Sequence, residues 1–227
     1  MRNITENLAQ VRARITKAAV AAGRDPRAIR LLAVSKTRPL ADLETAIAAG
    51  QRAFGENYLQ DALVKIRALG PAAEWHFIGP LQSNKTRAVA EHFAWIHSID
   101  RLRIAARLST QRPADLPPLN VCLQVNISGE TSKSGLHPDE VAELAPRVAE
   151  LPGLRLRGLM TLPAAARDPV QQRQPFRLLR ELMEQLQRDG LELDTLSMGM
   201  SHDLEAAVAE GATMVRIGTA IFGARLR

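Results

Sequence analysis

The chain of 227 residues contains one cysteine, one tyrosine, two tryptophans and five phenylalanines. A lone cysteine, Cys122, excludes an internal disulfide and fits a reducing, cytoplasmic setting. It lies in the apolar run Val121-Cys122-Leu123 and reads as a small core residue rather than a nucleophile. No apolar run approaches the about 20 residues that span a bilayer, so no membrane partner is expected. Residues 1–23 intersperse Arg2, Glu6, Arg12, Arg14 and Lys17 among apolar positions. That excludes a signal-peptide core and predicts an amphipathic helix. Net charge is +6, yet the arginines are scattered and no block of basic residues occurs. With aromatics at 4% there is little for bases to stack on, so nucleic acid is not expected as the main partner. A small phosphate remains as an anionic partner. No Cys-x-x-Cys exists, and His76, His92, His97, His137 and His202 show no ligand spacing with Cys122, so no metal site is expected.

What is present is a hydrophobic content of 46% and a regular alternation of strand and helix patterns with no linker. Strand patterns occupy 31–36, 52–56, 74–79, 95–99, 120–127, 155–161, 195–200 and 214–217. Helical periods occupy 40–49, 57–69, 84–92, 101–109, 138–150, 170–189 and 202–210. Pro138 suits a first helical position, and Gly50, Gly190 and Gly211 stand where helices end. Eight such units in this length predict a single α/β domain over 1–227, a (β/α)8 TIM-like barrel with an extra N-terminal helix. The eighth strand leaves little room for a last helix, and the N-terminal helix is expected to fill that gap in the outer ring. A doubly wound open sheet is the alternative. It would be favoured by a Gly-x-Gly-x-x-Gly turn after the first strand, where this chain has Ser35-Lys36-Thr37-Arg38-Pro39.

In such a barrel chemistry gathers at the C-terminal strand ends. These offer Lys36, Glu56-Asn57, His76 to Gly79, Asn126, Met160-Thr161, Met198 to Ser201 and Arg216 to Thr219. Lys36 ends an apolar run, with Pro39 barring continuation of the strand. Burial there lowers a lysine pKa and makes a nucleophile able to form a Schiff base. Taken alone, the segment fits a solvated lysine at a strand end at least as well. Gly199 permits close backbone approach, with a helix expected to begin near Ser201 and so to favour phosphate. Gly218 and Thr219 offer open space, a hydroxyl and an N–H, and the last two strands of such barrels often share a phosphate site. Small-residue turns packed against helices explain either segment equally well. Arg216 and Gly218 share one strand face, which, if inward, sets a permanent charge beside a ligand.

The order of several stretches carries a resemblance. They are Ala33-Val34-Ser35-Lys36-Thr37, Phe54-Gly55-Glu56-Asn57-Tyr58, the run from Trp75 to Lys85, Val125-Asn126-Ile127, Lys133-Ser134-Gly135, Gly158-Leu159-Met160-Thr161, Leu196 to Ser201, and Val215-Arg216-Ile217-Gly218-Thr219. With these the chain resembles, nearly end to end, the pyridoxal phosphate homeostasis proteins, relatives of the alanine racemase barrel. The resemblance implies that Lys36 carries pyridoxal 5'-phosphate as a Schiff base. It implies that Ser201, Gly218 and Thr219 hold the phosphate, that Arg216 faces the pyridine nitrogen, and that Asn57 and Met200 line the pocket. His202 departs from the family pattern and reads as a solvent-facing residue of a first helical turn. Lys133 fits a loop lysine pairing with Glu130, or else a transient second aldehyde acceptor. In the racemase the second base is a tyrosine from a separate domain. This chain shows no such domain, and its tyrosine, Tyr58, lies in the second helical unit. A cofactor carrier without efficient catalysis is therefore expected, monomeric and supplying apo-enzymes that use pyridoxal phosphate. The alternatives are a weak racemase or related amino-acid enzyme and, third, a nucleic-acid binder.

Overall fold

A computed structural model describes residues 3–129, 134–164, 166 and 168–224. Lys133 and Glu130 lie outside the described residues.

Eight strands form in the order β1 (Arg30–Val34), β2 (Ala53–Glu56), β3 (Glu74–Phe77), β4 (Trp95–Ile99), β5 (Leu119–Gln124), β6 (Leu154–Met160), β7 (Thr195–Ser197) and β8 (Met214–Ile217). All neighbours pair in parallel, and β8 returns to β1 with Leu32 opposite Arg216, which closes the barrel. The apolar, β-branched runs suit strands covered on both faces. Odd and even positions divide two cores. Leu32, Ala53, Trp95, Cys122, Met160 and Met214 cluster inside the barrel. Leu31, Ala33, Phe54, Ile96 and Val121 join the larger layer beneath the helices. Cys122 is fully buried, and burial pushes its thiol up to about 12. It is a packing residue, as its apolar neighbours predict.

The helices are α1 (Ile4–Ala21), α2 (Leu40–Ala48), α3 (Leu59–Leu69), α4 (Thr86–His92), α5 (Leu102–Gln111), α6 (Pro138–Ala149), α7 (Pro169–Arg188), α8 (Leu204–Ala209) and α9 (Thr219–Phe222). Pro138 does open α6, and Gly50, Gly190 and Gly211 follow α2, α7 and α8 with positive φ. α1 buries Leu8, Val11, Ile15 and Ala19 and packs against α2, α8 and α9. Asn7 donates to the Ile221 carbonyl at 2.8 Å and Arg24 to the Val208 carbonyl at 2.7 Å. The N-terminal helix thus fills the ring between the last and first units, as expected. Among the described residues no helix is long and apolar enough to cross a membrane.

Several strands stop short of their apolar patterns. β1 ends at Val34 rather than Lys36, β3 at Phe77 rather than Gly79, β5 at Gln124 rather than Ile127 and β7 at Ser197 rather than Met200. The surplus residues turn over the mouth, with Ser35, Ile78, Val125 and Met198 each still donating one backbone hydrogen bond to the neighbouring strand. A one-turn helix, α9, also stands where little room for a helix was expected.

Candidate functional site

The first wall of the mouth is a braced turn. Ser35 is still anchored to β2, its N–H donating to the Gly55 carbonyl at 3.0 Å. The Arg38 N–H then closes a turn on the Ser35 carbonyl at 3.0 Å, so Lys36 stands in the turn and not on the strand. Thr37 adopts φ +62°, a left-handed conformation costly for a β-branched residue. Its N–H donates to Asp61 Oδ2 at 3.3 Å. Beneath the turn, Lys65 of α3 is 3% exposed. Its Nζ donates to the Ser35 carbonyl at 2.9 Å and to Glu56 Oε1 and Asp61 Oδ2 at 2.8 Å each. Ser35 Oγ donates to the same Glu56 oxygen at 2.6 Å. Burial raises the Glu56 carboxyl above its usual range, against the pull of Lys65 and Ser35. The whole assembly fixes the backbone on both sides of Lys36.

The second wall comes from the ends of β7 and β8. Gly199 has φ +93°, and a Cβ there would lie 2.5 Å from the Ala207 methyl group, so only glycine lets the chain turn this close to α8. The Gly199 carbonyl accepts from the Arg216 N–H at 2.9 Å. Met200 N–H donates to Asp203 Oδ1 at 2.5 Å, which holds Ser201 and His202 in a turn. α8 begins at Leu204, three residues later than expected, because that carboxylate ends the turn first. The Ser201 carbonyl accepts from Arg14 of α1 at 3.1 Å, and its Oγ accepts from the Ala220 N–H at 3.4 Å. A Cβ on Gly218 would meet the Val34 carbonyl at 3.2 Å, so this position keeps the floor open next to β1.

Between the walls lies a cavity of about 220 Å³. It is lined by Lys36, Asn57, Met200, Ser201, Arg216, Gly218 and Thr219, the seven residues singled out in the sequence. Val34, Ile78 and Leu162 complete it as an apolar side. They were not singled out, although each stands at or just beyond the C-terminal end of a strand. His202 also lines the cavity, its side chain half exposed and its Nε2 3.3 Å from Asp203 Oδ2. Lys36 is half-buried and Arg216 almost wholly buried. Burial brings the Arg216 guanidinium down to about 10, so it stays charged at neutral pH. Among the described residues Asn57 Oδ1 is buried without a hydrogen-bond partner.

Other strand-end candidates go elsewhere. Asn126 lines a neighbouring hollow of about 200 Å³ that shares Asn57, Ile78 and Leu162 with the cavity. Glu56 serves the brace, Met160 and His76 lie inside the barrel, and Thr161 Oγ1 donates to the Val125 carbonyl at 2.8 Å. Tyr58 is exposed and does not line the cavity. Among the described residues no group of three or more His, Cys, Asp or Glu is placed to hold a metal ion.

The class defined by this geometry is a closed eight-stranded parallel barrel with an amine, two hydroxyls and a guanidinium around one mouth cavity. Comparison with known proteins narrows this class. The family model for the alanine racemase N-terminal domain matches residues 2–226. The chain is similar to the pyridoxal phosphate homeostasis protein of Pseudomonas aeruginosa, with 62% identity over 99% of this chain and 97% of the relative. It is also similar to that of Escherichia coli K12, with 59% identity over 99% of this chain and 98% of the relative. A solved structure of PipY from Synechococcus elongatus with pyridoxal phosphate bound superposes with a TM-score of 0.85 at 37% identity, covering 97% of this chain and 100% of that one. The chain belongs to the alanine racemase N-terminal domain family and, within it, to the pyridoxal phosphate homeostasis proteins.

Proposed function

We propose that the chain binds pyridoxal 5'-phosphate in the mouth cavity and serves as a carrier and buffer of that cofactor. The observation that supports this most is that all seven candidate residues line one cavity, with Lys36 on the β1 turn and Ser201, Gly218 and Thr219 across from it. The donor set fits the group. A primary amine suits an aldehyde, while hydroxyls and open backbone suit a phosphate. The buried Asn57 Oδ1 is an acceptor awaiting a donor, which a ring hydroxyl would supply. Bound pyridoxal phosphate supplies a reactive aldehyde and an electron sink. Lys36 would hold it covalently through Nζ as a Schiff base, with water as the leaving group. Ser201, Gly218 and Thr219 would hold the phosphate, and Arg216 would face the pyridine nitrogen. A guanidinium does not yield a proton readily, so the ring nitrogen would stay unprotonated and the sink weak. Asn57 and Met200 pack the sides.

The same arrangement argues for a carrier rather than a catalyst. Racemisation needs a base on each face of the reacting carbon. Tyr58 does not line the cavity, and an open mouth suits loading and release. In this reading the protein works as a monomer in the cytoplasm and hands the cofactor to apo-enzymes. One observation favours a second reading, a weak racemase or related amino-acid enzyme. His202 lines the cavity opposite the lysine turn and offers a titratable group there.

Absorption spectra with added pyridoxal phosphate test the first reading. Wild type gains a visible band that Lys36→Ala lacks. No band in wild type removes the cofactor assignment, and a band surviving in the variant removes Lys36. Steady turnover of an amino acid, abolished by Lys36→Ala and by His202→Ala, would establish the second reading instead.

A further inference from the structure

The barrel interior holds a line of polar side chains that the cavity does not use. Glu74 opens β3 at the N-terminal rim, the end opposite the cavity, and pairs with Arg30 of β1 at 2.8 Å. Glu74 Oε1 lies 2.6 Å from His76 Nε2. His76 Nδ1 lies 2.9 Å from His97 Nε2, and His97 Nδ1 lies 2.8 Å from Ser197 Oγ. Arg216 Nη1 donates to that hydroxyl at 2.8 Å and to the Ser197 carbonyl at 2.5 Å, while Nη2 donates to the Thr161 carbonyl at 2.8 Å. His76, His97 and Ser197 are fully buried.

Donor counting allows one direction along this line. Burial acts to raise the Glu74 carboxyl, but the hydrogen bonds from His76 and Arg30 and the charge of Arg30 hold it below its usual range, so it is ionised and only accepts. Burial lowers His76 to about 4 despite Glu74, and lowers His97 well below the usual imidazole range, so both rings are neutral. A neutral imidazole donates once and accepts once. His76 therefore gives its Nε2–H to Glu74 and accepts at Nδ1 from His97 Nε2–H. His97 then accepts at Nδ1 from the Ser197 hydroxyl, whose oxygen accepts from Arg216. Every link is satisfied, and aligned links polarise one another. The guanidinium itself hydrogen-bonds to two carbonyls and a hydroxyl, and Asp203 acts on it only through space.

We propose that Glu74, His76, His97 and Ser197 form a one-directional charge relay through the barrel, bringing the pull of the Glu74 carboxylate to Arg216 and fixing which N–H groups that guanidinium turns toward a bound ring. Glu74 is then a remote counterion, and the four are positioning residues. The part that concerns the ring rests on the cofactor reading above; the relay itself does not.

Two measurements separate these parts. Long-range 15N–1H spectra of the cofactor-free protein read the tautomers. Both buried imidazoles should be neutral and protonated at Nε2 between about pH 5 and 8. A Nδ1–H tautomer or an imidazolium at either position overturns the relay, whatever binds in the cavity. Absorption spectra and titrations with pyridoxal phosphate then compare wild type with Glu74→Gln, Ser197→Ala and Ser197→Thr. Glu74→Gln keeps an acceptor but removes the charge. Neither Glu74 nor Ser197 lines the cavity. Glu74→Gln and Ser197→Ala should displace the band maximum and weaken binding about twofold to tenfold, with Ser197→Thr restoring both. Bands and affinities equal to wild type in both variants overturn the coupling to the ring. Absence of any wild-type band refutes the cofactor reading and leaves the tautomers to judge the relay.

Discussion

At the scale of single residues, the site is built around one strained position. Thr37 holds φ +62° beside Lys36, and such a conformation costs a non-glycine residue about 1–3 kcal/mol. Thr37→Gly removes the strain while adding backbone freedom to the unfolded chain, worth about 1 kcal/mol in the opposite sense. The variant should thus be as stable as wild type or up to about 2 kcal/mol more stable in urea unfolding. It should also bind pyridoxal phosphate more weakly, because the lysine turn is less pre-organised. A marked loss of stability would show that Thr37 makes contacts that outweigh its backbone. The left-handed turn was not legible in the sequence, where Lys36 reads as the strand's last residue. The segment alone fits a solvated lysine, and Lys36 stood out only through the ordered stretches of the family resemblance. The histidine line was hidden for another reason. Glu74 and His76 share a face by simple alternation, but His97 and Ser197 join them only once the strand register is known.

Among elements, the clamp between α3 and the ends of β1 and β2 is the part whose loss should be felt most. Lys65 was not singled out in the sequence, yet its amine is buried against Glu56. Lys65→Met leaves the Glu56 carboxyl buried without its ion-pair partner, and breaking a buried pair in this way costs about 3–5 kcal/mol. Adding Glu56→Leu to that variant should recover much of the loss, since apolar replacement of both partners is often neutral. Urea unfolding of the single and double variants decides it. A single variant within about 0.5 kcal/mol of wild type would mean the clamp contributes nothing to stability. The alternation of strand and helix made the eight units legible, while their ends were not. Apolar pattern continues over the mouth at Ile78 and Met200, past the regular strand ends, where the cavity still asks for apolar side chains.

For the molecule as a whole, the buried imidazoles tie stability to pH. His76 and His97 have folded-state pKa values below the ordinary 6.5. Between those values and 6.5 the unfolded chain binds the protons that the folded chain refuses, so stability falls as pH drops through that window. The slope is at most about 1.4 kcal/mol per pH unit for each ring. Unfolding free energy should therefore decline by about 2–4 kcal/mol from pH 7 to 5. Glu74, held low, adds a further loss as pH falls below its ordinary 4.5, a loss complete only near its folded value of about 2. His76→Asn should flatten the upper part of the curve. A curve level between pH 7 and 5 would mean that the rings titrate in the folded protein as they do in the unfolded chain.

The seating of α1 bears on synthesis. Its partners, α8 and α9, and the Ser201 carbonyl that Arg14 holds, leave the ribosome about 200 residues later. At about 5–20 residues per second, the first helix waits roughly 10–40 s with the part of its apolar stripe that faces α8 and α9 uncovered. The lysine turn is made early and the wall from the ends of β7 and β8 last. A nascent chain therefore offers the amine before it offers the pocket, and loading with cofactor belongs to the finished protein.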